Sequence, residues 1–338
     1  MGLMLTTGTP LARVAGELEE AEGTFVSGQA LAERAGVSRN AVWKHVAQLR
    51  RLGYRIESAR RLGHRLVSRP DRPLPWTVTR GLGERPLVSR VYWYDVTAST
   101  QAEARRLADA GAPEGTVVLA EEQRGGRGRF RQAFVSPPGG LWFTIILRPP
   151  SERASPTLLS LLAARAVQRG VEDVCGVEPL LLWPKELLLD GRKLGGVLAE
   201  VEEDQDGCAV ALLGVGLNVN VDRARFPMPL RESVVSLREA LGRPAPLTAL
   251  CQAILREFDA RYTEFLEQGG AAVAAAWRRA TSVLGRQVAL ITESERVQGV
   301  AEGVDDAGAL LLRSHRGLER HLHGVVQLAE AAAGAERR

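Results

Sequence analysis

With 338 residues the chain is too long for one small domain. Its 45% hydrophobic and 25% charged residues suit ordinary globular cores and exclude a disordered or fibrous chain. A formal net charge of +4 excludes a polycation, so any contact with nucleic acid must be local. Cys175, Cys208 and Cys251 are odd in number and far apart, which excludes a disulfide framework or metal-type spacing and points to a reduced, cytoplasmic setting; no signal peptide or membrane-length apolar run is expected.

Residues 1–9 read as a loose terminus. Leu11, Val14, Leu18 and Ala21 recur at helical spacing. Ser27 is placed to cap a short helix over 28–35 that Gly36 ends, and Ser38 to cap a third helix running to about Leu52. Val42, Val46 and Leu49 share one face of that third helix. Arg39, Asn40, Trp43 and Lys44 lie near its start on another. The Gly-Val-Ser turn between these helices is a helix-turn-helix signal, and such a recognition helix sets its first-turn residues against base edges. Two short strands, Tyr54–Ser58 and His64–Val67, flank Arg60-Arg61-Leu62-Gly63 as a β-wing whose arginines can meet phosphates. Ser38, Arg39, Asn40, Trp43, Lys44, Arg60 and Arg61 are therefore the candidate DNA contacts; the alternative is a small dimerisation or docking domain. Residues 8–69 form this unit, and the proline-rich 70–86 read as a linker.

A second unit spans 87–282. A strand over Val88–Tyr94 precedes a helix that Ser99-Thr100 opens. The buried strand Thr116–Ala120 leads into Gln123-Arg124-Gly125-Gly126-Arg127-Gly128-Arg129. Glycine lets backbone approach a ligand, and the arginine fork suits carboxylate or phosphate. The stretch is either a loop that closes over an anion or a solvated basic loop. Leu141–Leu147 is an apolar strand and Thr157–Val174 a helix. Leu180–Trp183 is a short strand, and a hairpin turns at Asp190-Gly191. Cys208–Val219 is a long apolar strand, and Thr248–Leu266 an amphipathic helix. Segregated helices among mixed strands indicate an α+β domain. Residues 283–330 carry short strands between polar turns and read as a small β-barrel. Only three of the 44 basic residues are lysines: Lys44, Lys185 and Lys193.

Four pieces then stand in order: Ser99-Thr100-Gln101; the loop from Gln123 to Arg129; Leu182-Trp183-Pro184-Lys185-Glu186 with Arg192-Lys193-Leu194-Gly195-Gly196; and Gly214-Val215-Gly216-Leu217-Asn218-Val219. In these motifs the chain resembles the bifunctional biotin protein ligases that also repress biotin genes. The resemblance covers nearly the whole chain. It implies a winged helix-turn-helix, a central mixed-sheet biotin/lipoate ligase-like domain and a C-terminal SH3-like barrel.

It also implies that biotin and ATP, with Mg2+, give biotinyl-5′-adenylate, which a lysine of biotin carboxyl carrier protein then attacks. A ligand-dependent homodimer on operator DNA, paired through the central sheet, is implied as well. In family terms Ser99, Thr100, Gln101 and Gln123 line the biotin site. Arg127 and Arg129 approach carboxylate and phosphate, with Gly126 and Gly128 letting the loop fold. Trp183, Lys193, Gly195, Gly196 and Asn218 surround the nucleotide and site floor, with Arg129, Lys193 and Lys185 as catalytic candidates. No resident metal ligands are implied.

The chain departs from the family's Lys-Trp-Pro-Asn-Asp, reading Leu182, Lys185 and Glu186 at the variable positions. The loop also loses a glycine and an arginine while keeping an aromatic, Phe134. These departures leave a second reading open, a biotin or biotinyl-adenylate sensor that has lost catalysis. A lipoate-type ligase shares the fold and is the third reading.

Overall fold

In the computed structural model of the chain, the residues described are 3–21, 23–83, 86–126, 128, 133–204 and 207–328. The N-terminal unit runs β1 (Met4–Thr6), α1 (Pro10–Glu20), α2 (Gly28–Ala35), α3 (Arg39–Arg51), β2 (Arg55–Ala59) and β3 (Gly63–Ser68). Thr9, Ser27 and Ser38 each accept a backbone N–H three residues on, at 3.3, 3.0 and 3.2 Å, which satisfies donors the helix itself cannot. Gly36, at φ +66, ends α2 in the left-handed conformation that glycine adopts without strain. Val14, Leu18, Leu31, Val42, Val46 and Leu49 are buried between the three helices, and the antiparallel β2–β3 hairpin forms the wing.

Two stretches differ from their sequence reading. The expected loose terminus contains β1, which pairs antiparallel with an edge of the central sheet. The expected linker contains α4 (Pro75–Arg80), with Leu74, Trp76 and Val78 buried. Tertiary burial of these apolar side chains overrides the local proline signal.

The central unit continues with β4 (Arg90–Thr97), α5 (Thr100–Asp109), β5 (Thr116–Gln123), β6 (Leu141–Leu147), α6 (Pro156–Cys175), β7 (Leu180–Leu182), β8 (Glu186–Leu189), β9 (Arg192–Glu203), β10 (Ala209–Leu217), α7 (Met228–Arg231), α8 (Leu237–Leu241), α9 (Leu247–Gln268) and α10 (Gly270–Ala280). Its sheet has the order β1-β4-β5-β6-β10-β9-β8-β7. β4 and β5 run parallel and the other neighbours antiparallel, so the sheet is mixed. All seven residues of β6 are buried, as expected of a central strand covered on both faces. The helices α6 and α9 pack together against one face, while α5 covers the other.

The C-terminal unit is a five-stranded antiparallel sheet in the order β14-β13-β12-β11-β15. It comprises β11 (Gln287–Ile291), β12 (Arg296–Val304), β13 (Leu310–Ser314), β14 (Gly317–His321) and β15 (Val325–Leu328). It is tied to the central unit by the Trp183 indole N–H, which donates to Gly308 O at 2.9 Å, and by Thr157 Oγ1 donating to Leu322 O at 3.3 Å.

Candidate active site

A cavity of 1210 Å3 opens between the central sheet and the C-terminal sheet. Its inner end is a polar network built on three adjoining strands. Gln123, at the end of β5, accepts at Oε1 from Thr100 N (2.8 Å) and Thr100 Oγ1 (3.1 Å), and its amide donates to Ser136 Oγ (2.9 Å). Gln101 donates to Leu212 O (3.0 Å) and Glu200 Oε2 (3.2 Å). Thr144 Oγ1 lies 2.9 Å from Thr100 Oγ1 and 3.1 Å from Gln101 Oε1; one hydroxyl proton serves only one of these at a time. Ser99 precedes α5 as its N-cap without a side-chain capping bond, and the half-buried residue borders the cavity.

The glycines of β10 make room for this network. A Cβ at Gly214 would stand 2.7 Å from Gln101 Oε1, and one at Gly216 would stand 2.5 Å from the Phe134 ring. Gly195 on β9 is equally constrained, since its Cβ would lie 2.4 Å from Gly216 O. The Gly/Arg loop is pinched at its base, where Gln123 N donates to Ser136 O at 3.0 Å and Phe134 N to Gly126 O at 2.9 Å. Gly126 is buried there and Gly128 borders the cavity. Arg127 and Arg129 lie outside the described residues.

The far wall carries charge. Lys193 Nζ lies 2.5 Å from Glu186 Oε1, and both line the cavity. Lys185 also lines it, with only 9% of the residue exposed. Leu182 is on the same wall, so an apolar and a cationic residue three apart face one space. β7 ends at Leu182 and β8 begins at Glu186, so residues 183–185 form a turn that frees them from strand alternation. Asn218, buried, donates to Val235 O at 3.2 Å and borders the floor with Gly195 and Gly196. Trp183 is not brought to the cavity. It is wholly buried, and its indole is used to hold the C-terminal sheet.

Further lining residues escaped sequence reasoning. Thr144 does have a signal, as the one hydroxyl in an otherwise apolar strand. Phe226, Leu230 and Val234 fall in an aperiodic stretch and have none. Glu293, Arg296 and the segment 325–328 arrive from the C-terminal sheet, which no local pattern reveals. A second cavity of 1150 Å3 shares Ser99, Gln101, Gly128, Leu198, Thr292 and Glu293 with the first, and adds Arg105, Glu200, Glu202 and His323 among others. Among the described residues no group of three or more His, Cys, Asp or Glu could hold a metal ion.

In the winged helix, Arg39, Asn40, Trp43 and Lys44 are exposed on the first turns of α3, which Ser38 caps; Arg60 and Arg61 are exposed on the wing turn. Trp43 is 55% exposed, and its ring meets the edge of buried His64 at 4.8 Å between centroids. His64 Nδ1 shares a 2.8 Å hydrogen bond with Ser58.

Residues 93–218 match the biotin/lipoate A/B protein ligase family, residues 12–65 an HTH domain, and residues 283–325 the biotin protein ligase C-terminal domain. Over 310 residues the chain is 34% identical to the bifunctional ligase/repressor BirA of Bacillus subtilis (strain 168), spanning 91% of this chain and 95% of that protein. The chain belongs to the biotin protein ligase family. This family member is also 27% identical to the bifunctional ligase/repressor BirA of Escherichia coli (strain K12), over 92% of this chain and 95% of that one. It superposes on the biotin protein ligase from Aquifex aeolicus in complex with biotin and ATP with a TM-score of 0.62 at 25% identity, covering 70% of this chain and 97% of that one.

Proposed function

We propose that this family member is an ATP-dependent biotin protein ligase and a biotin-responsive repressor. One observation carries the reading: Ser99, Thr100, Gln101, Gln123, Lys193, Gly195, Gly196 and Asn218, scattered over 120 positions of sequence, border a single cavity in a chain that also carries a winged helix. A biotin carboxylate oxygen attacks the α-phosphorus of ATP, the bond to pyrophosphate breaks, and biotinyl-5′-adenylate forms. The amine of a carrier-protein lysine then attacks the acyl carbon and AMP leaves. Bringing a carboxylate to a triphosphate needs fixed positive charge, and Lys193 and Lys185 supply it on the wall. Arg127 and Arg129 are the further cations proposed for the loop. Gln101, Gln123 and Ser99 orient the biotin end by hydrogen bonds, while Phe134, Phe226 and Val234 exclude water from a hydrolysable anhydride. Mg2+ would enter on the triphosphate; the wall offers Glu186 and Glu293, and among the described residues no group of three or more His, Cys, Asp or Glu could hold an ion, which fits one carried by its substrate.

The DNA half rests on Arg39, Asn40, Trp43 and Lys44 for base edges, and on Arg60 and Arg61 for phosphates. The homodimer is proposed through the central sheet, where β8 pairs with β9 as far as Gly196, Val197 N donates to Lys185 O, and among the described residues no strand pairs with residues 198–203 on that side. No helix among the described residues is long and apolar enough to cross a membrane; the free cysteines support a cytoplasmic setting.

Purified protein with biotin and MgATP is expected to release pyrophosphate, and Lys193→Ala to slow that release by roughly a hundredfold. Biotin binding with no pyrophosphate above background sinks the ligase and leaves the sensor, the reading that Leu182 on the cavity wall favours. Lipoate or octanoate outcompeting biotin selects the lipoate-type alternative.

A further inference from the structure

The outward face of α3 carries an apolar group among its charges. Asn40, Trp43, Lys44, Ala47 and Arg51 recur at helical spacing and are all exposed, while Val42, Val46 and Leu49 are buried on the inner face. Trp43 stands out in this stripe. The chain has six tryptophans, and five of them, Trp76, Trp93, Trp142, Trp183 and Trp277, are buried. Trp43 is 55% exposed and is the one aromatic among the exposed large apolar side chains of the described residues. An indole left in water forfeits the free energy that covering it would release.

The ring is also held in place. Trp43 and His64 meet at 78° with their centroids 4.8 Å apart, an edge-to-face arrangement that aromatic pairs favour. His64 is 1% exposed and fixed from several sides. Its N donates to Val26 O at 2.9 Å, and its O accepts from Val26 N at 2.8 Å. Ser58 Oγ accepts from Arg50 Nη2 at 2.8 Å, which leaves the Ser58 proton for His64 Nδ1, also at 2.8 Å. Next to it Gly63, at φ +103, presses so close to Val26 that a Cβ would stand 2.0 Å from Val26 O. His64 lies at the start of β3, beside the turn that carries Arg60 and Arg61, so the Trp43 ring joins the recognition helix to the wing.

We propose that Trp43 reads sequence by covering the C5-methyl group of a thymine in the major groove, and that His64 is the positioning residue for its ring. The proposal rests on the DNA-binding reading above. Among the groups that base pairs show in the major groove, the thymine methyl is the apolar one. Arg39, Asn40 and Lys44, the exposed neighbours on α3, suit hydrogen-bonding base edges or phosphates instead. An indole has one N–H donor and is otherwise apolar, so its face tells a methyl from a hydrogen by contact area. A ring already held by His64 loses little freedom on binding.

The test uses full-length protein: the unaltered chain, Trp43→Ala, Trp43→Phe and His64→Gln. A duplex is selected from a random pool by the unaltered chain, with and without biotin and MgATP, and the tighter condition is kept. Each thymine of that duplex is then replaced in turn by deoxyuridine, which lacks only the methyl. The readouts are affinity for each duplex, affinity for an unrelated duplex, the salt dependence of both, and the melting temperature of each variant.

In the unaltered chain, loss of one particular methyl is expected to weaken binding by about fourfold, the value of one buried carbon. Trp43→Ala is expected to abolish that discrimination, and Trp43→Phe, which keeps an apolar ring, to retain part of it. His64→Gln is expected to cut it to about twofold, with affinity for the unrelated duplex and the salt slope unchanged. A merely structural role of His64 would weaken both duplexes alike. The assignment is overturned if no methyl matters to the unaltered chain, or if Trp43→Ala loses affinity uniformly and keeps the methyl effect, which would put the indole on the sugar-phosphate backbone. The part given to His64 is overturned if His64→Gln keeps the full discrimination. Should His64→Gln unfold, Ser58→Ala, which loosens the His64 ring without removing it, takes its place. Failure to select any duplex strikes the DNA-binding reading itself, whereas a selected duplex leaves the methyl scan to judge Trp43.

Discussion

At the scale of single residues, the cavity depends on side chains that are missing. Gly216 leaves the volume that the Phe134 ring fills, and Phe134 in turn meets Trp142 edge to face at 5.8 Å. Gly216→Ala is expected to displace that ring, weakening biotin binding in titration and destabilising the fold by about 1–3 kcal/mol in urea denaturation. His64 gives a second expectation. Burial, assisted by the Arg50 guanidinium, holds its pKa below the ordinary 6.5, so the neutral ring is the native form. Its stabilising contribution is fully present above pH 6.5 and is lost as the pH falls through the lower folded value. Melting of the protein between pH 8 and 5 is expected to show this loss, and His64→Gln to reduce it. The residual slope then includes His45, whose pKa burial also lowers. Residue positions at the cavity were legible in the sequence where a motif had one spatial solution. Ser99, Thr100, Gln101 and Gln123 converge because they sit at adjacent ends of β4–α5 and β5. Trp183 misled because an aromatic next to a motif proline serves equally as wall or as tether, and only the position of Gly308 decides between them.

At the scale of elements, what could be read was local and what could not was long-range. Ser27 and Ser38 announce their helices because a cap acts three residues away. The cap of α9 gives no such notice. Pro246 precedes it without a side-chain bond, and the helix's first donors are met by Asp71, which accepts from Leu247 N at 2.6 Å and Thr248 N at 2.8 Å. That carboxylate lies in the stretch whose prolines suggested a linker. Gln252 on α9 donates to Thr77 O at 2.7 Å and so holds α4 from the other side. Asp71→Ala is expected to cost about 1–2 kcal/mol in denaturant melts, as a lost helix cap does, and to speed proteolysis within residues 70–83. β1 was illegible for a related reason. Three residues carry too little alternation to declare a strand, and its partner lies more than eighty positions away.

At the scale of the whole molecule, the order of units along the chain was legible, because each begins with a change of hydrophobic period. Their mutual seating was not, because it rests on single bonds such as Trp183 to Gly308 and on the Glu19 cluster. A last consequence concerns the chain's three lysines. Lys185 is buried and Lys193 is paired with Glu186, whereas Lys44 stands exposed on the recognition helix. An activated acyl group that diffuses away labels any free amine it meets. Most proteins offer such a reagent dozens of lysines; this one, rich in arginine, has three, of which Lys44 is the one that lies on an exposed face outside the cavity wall. Prolonged incubation with biotin and MgATP, without carrier protein, is expected to leave one modified lysine in the mass spectrum, Lys44, and to remove a positive charge from the DNA-facing helix. Under the proposed ligase activity so few lysines would limit self-labelling, and Lys44 lies on the helix proposed to contact DNA.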